Sequence, residues 1–478
     1  MAGHIQGVHR SQQIMFPESL DEYIGDENPV RFIDAFVDSL DLRALGFEHA
    51  VAGNTGRPPY HLGVLLKLYL YGYLNHIRSS RRLEKEANRN VELMWLLRKL
   101  ALDFKTIADF RRNNGRAIRE VCRQFTLLCR QLGMFRGELV AIDGSKFKAM
   151  NSRPRNLTKR KLKRLVQRID EKVDRYLQEL DQNDEQEPNI YKPTAEELRE
   201  KIETLKKRRK EHQALQQQLE DSGDRQISLT DPDARSMPVG KGRGTEVAYN
   251  VQVCVDAKHK LIVDHEVTNE ATDLGQLSPM ARRAKELLQV EAFDVVADMG
   301  YYDGKHVKAC LEEGIIPYIP KANTSANCRL GLYSKRDFRY DAKDDCYWCP
   351  AGKALNFRFQ TTELGRDIRY YATSACKECA LRPRCTRNKG GRRITRWVDE
   401  ALLDEMARRV RAEPEKVKRR KGIVEHPFGT IKHSMNQGYF LTRGLDNVRS
   451  EMSLTILAYN IKRMINILGV QKMTRALA

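Results

Sequence analysis

The chain reads as a mixed α/β core with an all-helical region in front of it and two insertions inside it, the first a helical hairpin and the second cysteine-rich. Three observations predict this class. Apolar residues up to about position 135 recur at helical spacing. Two short apolar runs, Leu139-Val140-Ala141-Ile142 and Phe293-Asp294-Val295-Val296-Ala297, each stop at an aspartate, Asp143 and Asp298. Such runs read as buried strands that deliver an acid to the rim of a sheet. The third observation is a long charged stretch of helical period after the first run and a cysteine-bearing stretch after the second. At 478 residues the chain exceeds what one core supports. The expected division is a helical domain over 1–135, the first part of the core over 136–319 with the hairpin at 156–222, the cysteine-rich insertion over 320–398, and helices completing the core over 399–478.

In the first region, Pro59 followed by Leu62, Val64, Leu65, Leu68, Leu70 and Leu74 predicts a buried helix, and Ser79-Ser80-Arg81-Arg82 opens another. Leu93, Leu96 and Leu97, then Ile107, Phe110, Ile118, Val121 and Phe125, continue the period. Arg78, Arg81, Arg82, Arg111, Arg112 and Arg116 lie between these positions; arginine beside a packed helical core suits DNA docking, and equally suits a solvated face. The hairpin is predicted by two stripes, Leu162-Leu165-Ile169-Val173-Tyr176-Leu180 and Leu198-Ile202-Leu205-Leu215-Leu219. Between the stripes lie a polar turn at 181–188 and, after Pro193, a capping box from Thr194 to Glu197. Its basic clusters, Lys159-Arg160-Lys161 and Lys206-Lys207-Arg208-Arg209-Lys210, fit either a phosphate backbone or an ordinary solvated coiled coil. Core strands are expected at 247–255, 261–267 and 315–319, with a helix at 274–288. Residues 320–398 look irregular, and helices return from Asp399 to Leu468 with a break near Pro427.

Lysine and arginine number 84 against 64 acids, a net charge of +20, which points to a polyanionic partner. A membrane is not expected, because no run approaches 18 uninterrupted apolar residues and the nearest, Leu62 to Leu74, contains Lys67. The N-terminal residues lack the apolar centre of a signal peptide, so a cytoplasmic protein is expected. In that reducing setting the 10 cysteines are thiols or metal ligands. Cys346-x2-Cys349 and Cys376-x2-Cys379 read as the two knuckles of a structural zinc ribbon, with Cys385 able to replace one ligand and Cys328 upstream. Reduced cysteines with no metal are the plain alternative. Cys122, Cys129, Cys254 and Cys310 sit in apolar surroundings and read as core. Tyr347 and Trp348 beside the first knuckle either stack on a base or cover the ribbon.

A third acid joins the two aspartates. In Arg419-Arg420-Lys421-Gly422-Ile423-Val424-Glu425-His426-Pro427-Phe428-Gly429-Thr430-Ile431-Lys432, Glu425 and Lys432 are seven positions apart, two turns along one helix face. Here the chain resembles the bacterial insertion-sequence transposases of the DDE kind, whose third acid lies in a Y-x2-R-x3-E-x6-K pattern. Lys421 stands at the arginine position and Lys418 at the tyrosine position. Val140 to Ser145, Ala297 to Tyr302, Tyr249-Asn250-Val251-Gln252 with Val255-Asp256, and Pro59 through Arg81 resemble further stretches of that family, so the likeness spans nearly the whole chain.

The resemblance implies an RNase H-like core with Asp143, Asp298 and Glu425 as catalytic acids. They would hold two Mg2+ ions, for which Mn2+ can substitute, about 3.5–4 Å apart. It implies hydrolytic nicking at the inverted repeats that end a mobile element, then attack of the freed 3′-OH on target DNA by a homodimer on DNA, in the bacterial cytoplasm at the nucleoid. DNA contacts are expected from Lys432, Lys421, Arg420, Arg81 and Arg82. Asp256, Asp264 and Asp303 compete for the metal cage, and His426 abuts it, although a surface imidazole is the plainer reading. Two competing functions are a host nuclease of the same fold without strand transfer and a non-catalytic DNA-binding regulator with inert acids.

Overall fold

The computed structural model of the chain describes residues 19–48, 60–151, 153–184, 194–223, 226–239, 244–321 and 325–477. Pro59 and Pro193, and the end of the polar turn near Pro188, lie outside them.

The first apolar run opens β1 (Leu139–Lys148), the middle of a six-stranded sheet among the described residues. β1 is antiparallel to the long β5 (Thr245–Asp256) and parallel to β7 (Phe293–Val296), which is parallel in turn to β8 (Ile315–Tyr318). The far edge of β5 is shared by β4 (Arg235–Pro238) and β6 (Ile262–Thr268).

Alternation along β1 sends Val140 and Ile142 to one face and Ala141 and Phe147 to the other, as a two-residue side-chain period requires. The first face is covered by α9 (Leu277–Leu288), α10 (Gly304–Glu312) and, through Met406, α13 (Glu400–Ala412). The second face carries α14 (Pro414–Gly429) and α15 (Leu445–Leu468). Leu454, Ile456, Leu457, Ala458 and Ile461 of α15 are all buried, so it is a helix wrapped by protein on every side.

The N-terminal region comprises α1 (Pro29–Asp38), α2 (Leu62–Leu74), α3 (Ser80–Ala87), α4 (Val91–Leu96), α5 (Phe104–Asn113) and α6 (Gly115–Gln131), of which α2, α5 and α6 pack on α15. Their core is continuous with that face of the sheet. Lys67, which interrupts the apolar run of α2, reaches Asp34 at 2.6 Å and Asp38 at 2.7 Å, the pairing a buried ammonium needs.

The hairpin forms from α7 (Lys159–Asp184) and α8 (Ala195–Asp221), clasped at its base by β2 (Asn156–Thr158) against β3 (Gln226–Ser228). The expected stripes meet, with Leu162 against Leu219 at one end and Leu180 against Leu198 and Ile202 at the other. Thr194 and Glu197 make the capping box.

Residues 320–398 are not irregular. After α11 (Ala326–Arg329) they build a five-stranded antiparallel meander of β9 (Arg339–Asp341), β10 (Cys346–Trp348), β11 (Ala354–Glu363), β12 (Arg366–Ala372) and β13 (Arg393–Trp397), with α12 (Arg382–Cys385) before the last strand. Leu364 and Gly365, both at positive φ (49° and 69°), form the tight turn that joins its two longest strands. Phe338, Tyr347, Leu355, Tyr371 and Ile394 make its core, where Tyr347 covers the sheet rather than offering a stacking face. Trp348 donates to Asp341.

The break expected at Pro427 comes later. α14 runs through the proline to Gly429 and widens into a π turn at Thr430–Ser434. The short α16 (Val470–Arg475) ends the chain and packs on α1.

Candidate active site

β1 and β7 are in parallel register through Ala141↔Val296. Asp143 and Asp298 each lie two residues past that pair, so they leave neighbouring strands, about 4.8 Å apart, at the same level. Asp143 is not the last residue of its strand, because its antiparallel pairing with β5 continues to Lys148↔Ala248. Parallel pairing is what ends: β7 stops at Val296, and Asp298 turns the chain as the cap of a 3-10 turn, its Oδ1 accepting from the Gly300 amide at 2.8 Å. A rim therefore exists at Asp143 even though the strand runs on.

Burial pushes the Asp143 carboxyl up to about 6; the Arg420 guanidinium and the Gly144 amide oppose the shift, and the charges of Asp298 and Asp273 add to it. Its Oδ2 accepts from Arg420 Nη1 of α14 at 2.8 Å and its Oδ1 from the Gly144 amide at 2.9 Å.

Asp273 is the carboxylate that sequence reasoning missed. Its Oδ1 accepts from Asn250 Nδ2 at 2.7 Å and Gln252 Nε2 at 2.6 Å, and Lys146 Nζ lies 3.6 Å away. Gly144 leaves room for this network: a Cβ on it would lie 2.4 Å from Gln252 Nε2 and 2.5 Å from Asp273 Oδ1, so those side chains would have to shift. Tyr301, buried, donates to Gln252 Oε1 and ties the 3-10 turn after Asp298 to the same network. Asn250 and Gln252 lie in the β5 stretch that the sequence singled out, but Asp273 follows β6 in a polar loop with no periodic signal.

Glu425 lies on α14, the helix that brings Arg420 to Asp143, but its side chain is 64% exposed and faces Lys421 at 3.7 Å. Among the described residues, no three His, Cys, Asp or Glu side chains converge tightly enough to close a cage around an ion. Lys432, on the π turn, reaches β1: Nζ donates to Ser145 Oγ at 2.6 Å and to the Lys146 carbonyl at 2.9 Å, over the Phe147 ring. Burial lowers its pKa to about 8, with the Lys146 charge adding and Asp143 opposing. Of the expected DNA-contacting residues, Lys421, Arg81 and Arg82 are exposed, and Arg420 is spent on Asp143.

Other candidates sit elsewhere. Asp256 accepts from the Gly137 and Lys258 amides, Asp264 pairs with Arg283, and Asp303 caps α10 and pairs with Arg366. His426 turns from the site, with Nδ1 3.0 Å from the Tyr459 hydroxyl, and burial holds its pKa down. Arg78 and Arg111 are structural: Arg78 is buried against Glu451, and Arg111 donates to Tyr73.

In the meander, Cys349, Cys376, Cys379 and Cys385 line one cavity, whereas Cys346, placed on β10, does not. Cys122, Cys129, Cys254 and Cys310 are buried, as their surroundings predicted.

Family comparisons bear on both ends of the chain. Residues 348–465 match the family described as "Transposase DDE domain", and residues 18–113 match "Transposase domain (DUF772)". No curated protein matches the chain. One similar solved structure is that of a piggyBac transposase synaptic complex with hairpin DNA, at 10% identity over 94% of this chain and 79% of that one; with a TM-score of 0.33 the likeness carries no weight. No helix among the described residues is long and apolar enough to cross a membrane. The DDE match includes Glu425 and Lys432, and the sheet joining Asp143 to Asp298 lies between the two matched stretches: the chain is a DDE-type transposase.

Proposed function

We propose that this transposase has an RNase H-like core that binds the inverted repeats of an insertion sequence and, with divalent metal, nicks them and joins them to target DNA. Asp143, Asp298 and Glu425 are the acids of the reaction. The observation that carries this reading is that Asp143 and Asp298 each lie two residues past the last parallel pair of β1 and β7, with Asp273 near enough that burial and the neighbouring acids raise the Asp143 carboxyl. Such a group of carboxylates calls for a cation. In the present arrangement Arg420 supplies it.

The donor set fits a hard divalent ion, because it is all oxygen. Asp143 and Asp298 would hold Mg2+, or Mn2+ in its place, and Glu425 would complete the set. Bound metal neutralises charge on the attacking and leaving oxygens of an in-line phosphoryl transfer. Glu425 is five residues beyond Arg420, about 7.5 Å along the axis of the helix that packs on β1. Lys432 holds Ser145 and Lys146 at that rim and is placed to meet a phosphate. The helical region over 1–135 and the exposed basic residues Arg81, Arg82 and Lys421 supply phosphate contacts. Two ends brought together call for a dimer on DNA.

A strand-transfer assay with paired terminal-repeat duplexes tests this reading. Wild-type protein with Mg2+ should yield nicked ends and joined product. Nicks without joined product would assign a nuclease, and binding without either would assign a regulator.

A further inference from the structure

We propose that the β-meander insertion holds a structural zinc ion on Cys349, Cys376, Cys379 and Cys385, leaving Cys346 out. The four cysteines come from separate places: the turn after β10, the 3-10 turn Ser374–Cys376, the loop that follows it, and the end of α12. They line one cavity of about 20 Å³, the scale of a single small guest, with Tyr333, Leu355 and Arg392 among its walls.

Strand geometry explains the exchange of one ligand. Tyr347 points into the core of the meander, where Cys349 and Cys385 also pack. Cys346 precedes Tyr347 on the same strand, so its side chain emerges from the opposite face. Spacing alone could not show this, since Cys-x2-Cys forms a knuckle only when both cysteines leave the strand for a turn. Cys349 does so: Gly352 N donates to its carbonyl at 2.9 Å and Lys353 N approaches its Sγ at 3.4 Å, a backbone-to-sulfur contact that suits a thiolate. Gly391 lets the returning chain press on the cluster, because a Cβ there would lie 2.9 Å from Cys376 Cβ and 3.4 Å from its Sγ, at a φ of +89°.

Four thiols are the donor set of a closed structural zinc site, and soft sulfur selects zinc over magnesium. Among the described residues, the sulfurs line the cavity without closing on one point. Zinc would draw them in and release their protons. The gain is structural: the core cluster of the meander has only five buried side chains among its described residues, and an ion tying the β10 turn to the β12–β13 connection would staple it.

The test uses full-length protein purified under reducing conditions without chelator, with zinc measured by mass spectrometry and by colorimetric release. About one zinc per chain is expected. Cys346→Ser should keep it, and Cys385→Ser should lose it at least tenfold more readily to a competing chelator. If Cys385→Ser does not fold, cobalt exchange into wild type and Cys346→Ser should give both the visible bands of a tetrahedral thiolate site. Absence of metal after zinc is added back, or loss of metal and cobalt bands in Cys346→Ser, would overturn the assignment. None of these readouts depends on DNA chemistry, so this site and the transposase site stand or fall separately.

Discussion

Asp143 is the residue at which folding and chemistry pull in opposite directions. Its carboxyl titrates near 6 in the folded chain, above the ordinary 3.8. Folding therefore takes up a proton between those values, and stability is lost as pH rises through that window. Above about 6 the full cost is present, at most about 3 kcal/mol, with the opposing Arg420 pair already included in the shift. Asp143→Asn should raise the melting temperature of the metal-free protein by roughly 1–3 °C at neutral pH, with the gain fading below pH 4, as calorimetry across pH would show. The same substitution should abolish nicking. A variant that melts below wild type at pH 7 would contradict this account of the site. Lys432 has the opposite sign: its pKa is lowered to about 8, so its charge, and any phosphate contact it makes, fades as pH rises past that value. End-DNA affinity should fall between pH 7 and 9, and Lys432→Gln should flatten that profile.

At the scale of elements, what the sequence revealed depended on whether a pattern was local. The acid-ended runs became adjacent strands because β-branched apolar runs have few other places to go, and the two leucine stripes became a hairpin because each could be buried only against the other. The meander was missed because β11 buries few of its side chains and its flanks are polar, so alternation was hidden. Asp273 was missed because its meaning lies in contacts with Asn250, Gln252 and Lys146, all distant in sequence. The exposed Glu425 shows the limit of spacing: a seven-residue interval places two side chains on a helix but does not say which faces the sheet. The hairpin gives a prediction of its own. Leu198 is fully buried in its seam, so Leu198→Ala should cost about 2–5 kcal/mol there. Hydrogen exchange should rise in α7 and α8, while the central sheet, which shares no core with Leu198, keeps its protection.

Across the whole molecule, the N-terminal helices and the sheet share one core through α15, and the buried Arg78–Glu451 pair at 3.4 Å joins them. Glu451 also accepts from the Leu441 and Thr442 amides, so removing Arg78 leaves a buried carboxylate without its cation. Arg78→Ala should cost about 3–5 kcal/mol and lower the single unfolding transition of both regions together, rather than splitting it in two. The surplus of +20 charges should make DNA affinity fall steeply with salt. The central claim is that three acids far apart in sequence hold divalent metal at one point. Manganese binding followed by electron paramagnetic resonance, in wild type and in Asp143→Ala, Asp298→Ala and Glu425→Ala, tests it most directly. A spin-coupled pair in wild type with end DNA, lost in each variant while DNA binding persists, is the predicted result. An unchanged coupled signal in Glu425→Ala would contradict it.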